Sequence, residues 1–228
     1  TTDELFELPT LPESVGILGL GAIGLEMGLA LSRMGLRVVG ADVAPTVAGI
    51  ADPEVRTRAL ARFGDEMALW LGQAATVAPA ADGVLLRSGG REAKVDLLLA
   101  ALGRRANVDD LNLAAAGFPL DERGLPRFDP ATLRIGDLPV FIAGDANASR
   151  PLMHEAADEG AIAGYNAARG LNRRFRQKVA LGIAFSDPDV ISVGLRFDEL
   201  PGEGVLIGQA GGEHNARSRV IGAESNLL

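Results

Sequence analysis

The sequence predicts an α/β fold, with a parallel sheet and crossing helices over its first hundred residues. Three observations lead there. From Ser14 onward, short apolar runs alternate with segments of helical spacing. A glycine-rich turn, Gly19-Leu20-Gly21-Ala22-Ile23-Gly24, joins the first apolar run to the first helical segment. An acidic residue, Asp42, closes the next apolar run, 42 − 19 = 23 positions after the first of those glycines. Strand, helix and strand in that order form a crossover unit, which places the two strands parallel.

The elements follow in order. Residues 1–13 are an opening segment that ends in a turn flanked by Pro9 and Pro12. Residues 15–18 form a short buried strand. Residues 24–34 form a helix, with apolar positions at Ile23, Met27, Ala30, Leu31 and Met34, ended by Gly35. Residues 36–41 are a second strand. Asp52-Pro53-Glu54 starts a helix that runs to Phe63, with proline in its first turn. Residues 67–71, 75–77, 84–87 and 94–101 read as further strands, with turns at Asp82-Gly83 and Gly89-Gly90. Residues 104–138 are rich in loops. Residues 140–143 read as a buried strand leading into Gly144-Asp145. Pro151 opens a long helix to Ala168, whose small residues (Ala156, Ala157, Gly160, Ala161, Gly164) permit close approach. Arg173, Arg174, Arg176 and Lys178 make a basic, solvated linker. From Val179 the pattern turns to short strands without helical spacing.

Composition excludes several classes of function. The 228 residues allow one large domain or two small ones, and 47% hydrophobic content rules out disorder. With no cysteine, the chain carries no disulfide, thiolate metal site or cysteine nucleophile. A net charge of −8 and 4% aromatics argue against nucleic acid and against an anionic membrane surface as partners. The longest apolar stretch, residues 15–25, is broken by glycines and falls short of the ~20 residues that span a bilayer. The opening Thr1-Thr2-Asp3-Glu4-Leu5-Phe6 is acidic, without a basic and then apolar leader. A cytoplasmic location is the expectation. The absence of an initiator methionine suggests a processed or excised chain.

The glycine turn carries the chemistry. In a Rossmann-like unit, Gly19 allows the tight turn, Gly21 admits a pyrophosphate against the backbone, and Gly24 lets the helix pack on the strand. The helix N-terminus supplies unpaired N–H groups and the positive end of its dipole. Asp42 accepts hydrogen bonds from the adenosine ribose and repels a 2′-phosphate, which favours NAD over NADP. Glu26, two positions past the last glycine, has two readings. It is either a favourably placed acid near a helix N-terminus or a ligand to the nicotinamide end.

Five stretches occur in an order that resembles the pyridine nucleotide–disulfide oxidoreductases, most of all those acting on dihydrolipoamide. They are Gly-Leu-Gly-Ala-Ile-Gly-Leu-Glu (19–26), Ala-Leu-Gly-Arg-Arg-Ala-Asn (101–107), Ala-Gly-Asp (143–145), Leu-Met-His-Glu-Ala-Ala-Asp-Glu-Gly (152–160) and Phe-Ser-Asp-Pro-Asp-Val-Ile-Ser-Val-Gly (185–194). The resemblance implies an NAD-binding domain over 14–103, the C-terminal portion of an FAD-binding domain over 104–175, and the start of an α+β dimerisation domain over 176–228. It implies that Gly19, Gly21, Ala22, Ile23 and Gly24 hold the dinucleotide, with Ile23 and Glu26 near the nicotinamide and Val77 and Gly103 beside the adenosine half. It also implies that Asp145 meets the flavin ribityl chain. Pro151, Leu152, Met153 and His154 would turn a helix start toward the flavin ring, where N–H groups stabilise charge on the reduced flavin. The cofactors implied are NAD and FAD, and the implied assembly is a homodimer.

The departures are as informative. A second glycine motif, a redox cysteine pair and a His-Pro segment are all absent, and Ala106 stands where the family usually has proline. His154 and His214 are the sole histidines, and neither is assigned a catalytic role; no catalytic or metal-binding residue is assigned. The FAD site is therefore expected to be incomplete, and disulfide exchange, which requires a thiolate, lies outside these residues. Three readings remain open. One is part of a dithiol–FAD–NAD oxidoreductase. The second is a non-catalytic NAD-binding or sensing module that dimerises through its C-terminal strands. The third is a flavin-dependent NADH reductase without redox cysteines, against which residues 185–194 argue. The end at Asn226-Leu227-Leu228 suggests an unfinished interface sheet.

Overall fold

The computed structural model of the chain describes residues 2–220 and 222. They fall into two compact units, one of residues up to 103 together with those from 179, the other of Arg104–Lys178.

The first unit holds the parallel sheet that the sequence predicts. After a short helix α1 (Thr2–Phe6), the chain runs β1 (Ser14–Leu18), α2 (Ala22–Arg33), β2 (Arg37–Asp42), α3 (Pro53–Gly64) and β3 (Ala68–Leu71). A three-stranded antiparallel sheet follows, β4 (Ala75–Ala80), β5 (Gly83–Ser88) and β6 (Arg91–Val95), and then β7 (Leu97–Ala100) returns to the parallel sheet. The parallel order is β3-β2-β1-β7. The chain thus walks outward from β1 and comes back to its other side. That reversal opens a crevice at the C-terminal ends of β1 and β7, where open α/β sheets take their ligands.

Burial explains why these residues adopt these elements. β1 lies between β2 and β7, and its Val15 and Ile17 are fully buried. Such a two-sided strand reads as a continuous apolar run. Helix α2 lays Leu25 and Leu29 on the sheet and α3 adds Phe63, all in one core cluster with Leu99. Asp52 caps α3, accepting from the N–H groups of Glu54 (2.8 Å) and Val55 (3.1 Å), with Pro53 in the first turn.

Three local expectations are corrected. The single strand expected over 94–101 is two, broken at Asp96. Its carboxylate accepts from the Ser14 N–H and hydroxyl, both at 2.8 Å, and this pins the step from one sheet to the other. The Ser14 hydroxyl is the main cause holding the Asp96 carboxyl below the usual range. The associated stability is present above about pH 4 and is lost as the pH falls through the lower folded value. The strand expected over 140–143 is only a bridge from Phe141 to Arg134. There the Ile142 N–H donates to the Leu133 carbonyl (2.9 Å) and the Ile135 N–H to that of Val140 (2.9 Å), so a neighbouring loop takes the place of a partner strand. The C-terminal region, expected to lack helix, contains α5 (Ala216–Val220), started by Asn215, whose side-chain oxygen accepts from the Arg217 N–H at 2.9 Å. It also contains the hairpin β8 (Leu181–Ala184) and β9 (Val190–Val193). The terminal Asn226-Leu227-Leu228, named above as an unfinished edge, lies outside the described residues.

The second unit is built on α4 (Met153–Arg169). Its Asn166 is fully buried and binds the backbone of Arg173 on both sides, donating to the carbonyl (2.9 Å) and accepting from the N–H (2.8 Å). The helix begins at Met153 rather than at Pro151, because Leu152 is extended and serves as its N-cap residue. No described helix is long and apolar enough to cross a membrane.

Candidate functional site: a glycine bend with a carboxylate, and a second turn at a helix start

The bend after β1 is set by backbone geometry. Gly19 takes a φ of +86°, and a side chain there would collide with the Ala101 carbonyl at the end of β7. Glycine is the residue that tolerates both conditions. Leu20 folds its side chain over Gly40 of β2, which leaves no room there for a Cβ, and is itself buried. Gly21 is the N-cap residue of α2, with φ −61°, and no side chain caps the helix. A Cβ on Gly21 would meet nothing within 4 Å, so the space over the bend is open. The first helical bond is the Leu25 N–H to the Gly21 carbonyl at 3.0 Å, which leaves the N–H groups of Ala22, Ile23 and Gly24 directed out of the helix start. At Gly24 a Cβ would overlap the Gly19 carbonyl oxygen.

Asp42 closes this arrangement. It ends β2, and its Oδ2 accepts from the Leu20 N–H at 2.6 Å while Oδ1 accepts from the Ala44 N–H at 2.8 Å. An ionised carboxylate has roughly four acceptor positions, so two remain for a ligand. The residues that follow, 43–51, contain no basic side chain. The bend thus offers N–H groups for an anion beside a carboxylate for a hydroxyl-bearing group.

Of the other expected residues in this unit, Glu26 lies on α2 with its Oε1 bound by the Phe185 N–H at 2.8 Å. Ala22 and Ile23 form the first turn of α2 and are half-buried. Gly103 follows β7 with φ +104°. Val77 is exposed on β4 opposite Leu86, so the antiparallel sheet places it, not the bend.

In the second unit, Asp145 sits in the 3₁₀ turn Gly144–Asn147, its side chain half exposed and paired with Arg104 at 3.0 Å. Arg104 also donates to the Pro151 carbonyl at 3.4 Å. Glu159, buried on α4, holds the turn from below: it accepts from the Gly144 N–H (2.8 Å) and the Asn147 amide (2.7 Å). The close approach expected of the small helix face occurs at Ala156, whose Cβ would lie 3.0 Å from a Cβ on Gly144. Met153 and His154 are exposed at the start of α4, and no side chain caps it. Arg104 and Glu159 are positioning residues not singled out from the sequence, although both lie inside the quoted stretches 101–107 and 152–160.

Comparison with known proteins gives the family. A sequence profile described as pyridine nucleotide-disulphide oxidoreductase matches residues 1–160. A dihydrolipoyl dehydrogenase of Vibrio parahaemolyticus is 31% identical over 90% of this chain and 44% of its own length. A mercuric reductase of Bacillus cereus is 30% identical over 86% of this chain and 32% of its own. Among solved structures, the HOCl-induced flavoprotein disulfide reductase RclA from Escherichia coli superposes with a TM-score of 0.86 at 22% identity, covering 98% of this chain and 52% of that one. The chain spans about half the length of such relatives or less. It belongs to the pyridine nucleotide-disulphide oxidoreductase family.

Proposed function

We propose that the first unit is the NAD(H)-binding part of a flavin-dependent disulfide oxidoreductase similar to dihydrolipoyl dehydrogenase, in which electrons pass from a dithiol through FAD to NAD. The observation that carries this reading is the Asp42 carboxylate 2.6 Å from the Leu20 N–H, at the mouth of an open glycine bend. The N–H groups of Ala22, Ile23 and Gly24 bind the pyrophosphate, and the free acceptor positions of Asp42 take the adenosine ribose hydroxyls. A 2′-phosphate would meet that carboxylate with no basic residue near it in sequence, so NAD is the cofactor rather than NADP.

The second unit fits a flavin in part. The half-exposed Asp145 carboxylate can accept from ribityl hydroxyls, and the uncapped start of α4 directs N–H groups at an electron-rich group. FAD, when bound, supplies the two-electron relay. What these residues contribute is binding and orientation: Arg104 and Glu159 fix the turn that presents Asp145. No cysteine is available among the 228 residues, so the dithiol step belongs to other parts of a protein of the relatives' length. A cytoplasmic location and a homodimer that uses the exposed Ile191 and Val193 of β9 complete the proposal.

The test uses Trp70, the sole tryptophan, which pairs in register with Ala41 beside Asp42. NADH should quench it saturably by energy transfer, and NADPH should bind at least about tenfold more weakly. Because Asp42→Ala also frees two backbone N–H groups, the ratio is the readout. That variant should lose about tenfold or more for NADH, while NADPH, relieved of repulsion, loses much less. Equal losses for both nucleotides would remove Asp42 from the ribose site.

A further inference from the structure

The basic run that the sequence presents as a solvated linker is tied along α4, within the second unit. The Asn166 side chain holds the backbone of Arg173 on both sides, Gln177 Nε2 donates to Glu159 Oε1 at 3.3 Å, and Lys178 Nζ lies 2.7 Å from Asp158 Oδ2. Arg150 closes the far end, donating to the Lys178 carbonyl (3.1 Å) and to Glu155 (3.0 Å). Residues 173–178 thus run antiparallel to the helix, and the two leave between them a groove of about 340 Å³. Its floor is apolar, made by Ala161, the half-buried Ile162 and Phe175, and the ring of Tyr165.

The charge beside this groove runs against that of the chain. The net charge is −8, yet no acidic residue occurs between Glu159 and Asp187, an interval that holds Arg169, Arg173, Arg174, Arg176 and Lys178. The two acids of the groove wall are already paired, Asp158 with Lys178 and Glu155 with Arg150. The four arginines are exposed, and among the described residues none of them has a carboxylate partner. The guanidinium carbons of Arg169 and Arg173 each lie 5.5 Å from the centre of the Tyr165 ring. The ring attracts both, but two like charges drawn to one ring repel each other, and an anion seated beside them offsets that repulsion.

We propose that the groove docks an acidic segment of a partner protein that carries an aromatic or aliphatic side chain among its carboxylates. That side chain lies on Ile162 and Phe175, and the carboxylates take the forks of Arg173 and Arg176, whose planar geometry suits bidentate pairing. A compact free anion uses one or two of the arginines and leaves the apolar floor in water, whereas a peptide chain covers both. Complementary charge speeds the encounter and selects the partner, while the apolar side chain anchors it.

Titration of the full chain with a fluorescein-labelled peptide, Glu-Glu-Asp-Phe-Glu-Glu, followed by anisotropy, tests it. Binding should saturate, weaken at least about fivefold when glycine replaces the peptide's phenylalanine, and weaken at least about tenfold in the double variant Arg173→Glu/Arg176→Glu. The same reversal at the exposed Arg123 and Arg127 of this unit should change it less than about twofold. In the unaltered chain, amide shifts caused by the unlabelled peptide should gather on residues 158–178, a readout that does not depend on any variant folding. The inference is overturned by an absence of saturable binding, by shifts that gather elsewhere, by equal loss from the two charge reversals, or by equal affinity for the peptide without its phenylalanine. An oligonucleotide that displaces the labelled peptide at lower concentration than the unlabelled peptide does would also overturn it, and would make the groove a nucleic-acid surface.

Discussion

Gly24→Ala is expected to destabilise the first unit by about 2–3 kcal/mol, measured as a lower midpoint in urea with unchanged slope. Helix propensity alone points the other way, since alanine in place of glycine favours a helix by up to ~1 kcal/mol. Overlap decides the sign. The added Cβ meets the Gly19 carbonyl oxygen and lies 3.3 Å from the Ala101 Cβ, and neither neighbour is the far end of a flexible side chain. Relief requires α2 to lift from β1, and α2 carries Leu25 and Leu29 into the core. A loss below about 1 kcal/mol would mean that the bend yields without moving the helix.

Gly21→Ala should do the opposite: leave the fold nearly intact and lose the nucleotide. Its Cβ meets no atom within 4 Å, and the backbone there, φ −61° and ψ −172°, suits any residue. Stability should fall by at most about 1 kcal/mol, the usual cost of alanine at a helix N-cap. The open space is what a pyrophosphate needs to approach the N–H groups behind it, and a methyl group placed there holds the phosphates off. NADH affinity should fall at least about tenfold, read by Trp70 quenching. Two glycines three residues apart, one required by the fold and one by the ligand, thus separate the structural from the functional role of the same turn.

Much of this was legible in the sequence, and the failures have physical causes. The β1-α2-β2 unit could be read because its signals are local: a buried apolar run, glycines at fixed offsets and an acid at the next strand's end. Asp42 was legible as an acceptor, but its two backbone donors, Leu20 and Ala44, appear only once the chain has folded the bend against β2. The break at Asp96 was hidden because residues on both sides favour strands. The interruption comes from Ser14, which is 82 positions away. Residues 140–143 had the composition of a strand, yet a strand also needs a neighbour, and composition cannot supply that information. Glu159 read as one more polar position on a helix, whereas its burial and its bond to the Gly144 N–H make it the support of the Asp145 turn. Glu26 kept two readings at the sequence level, and neither included Phe185, because contacts across 159 residues leave no local trace.

The most direct measurement of the account's core is the map of backbone amide shifts in the folded chain during titration with NADH. The largest shifts should fall on Leu20 through Gly24, with Asp42 and Ala44 next to them, and should saturate together. If the shifts gather on another surface, or the amides of the bend stay still while the nucleotide binds, the glycine bend does not hold the pyrophosphate and the assignment built on it is wrong.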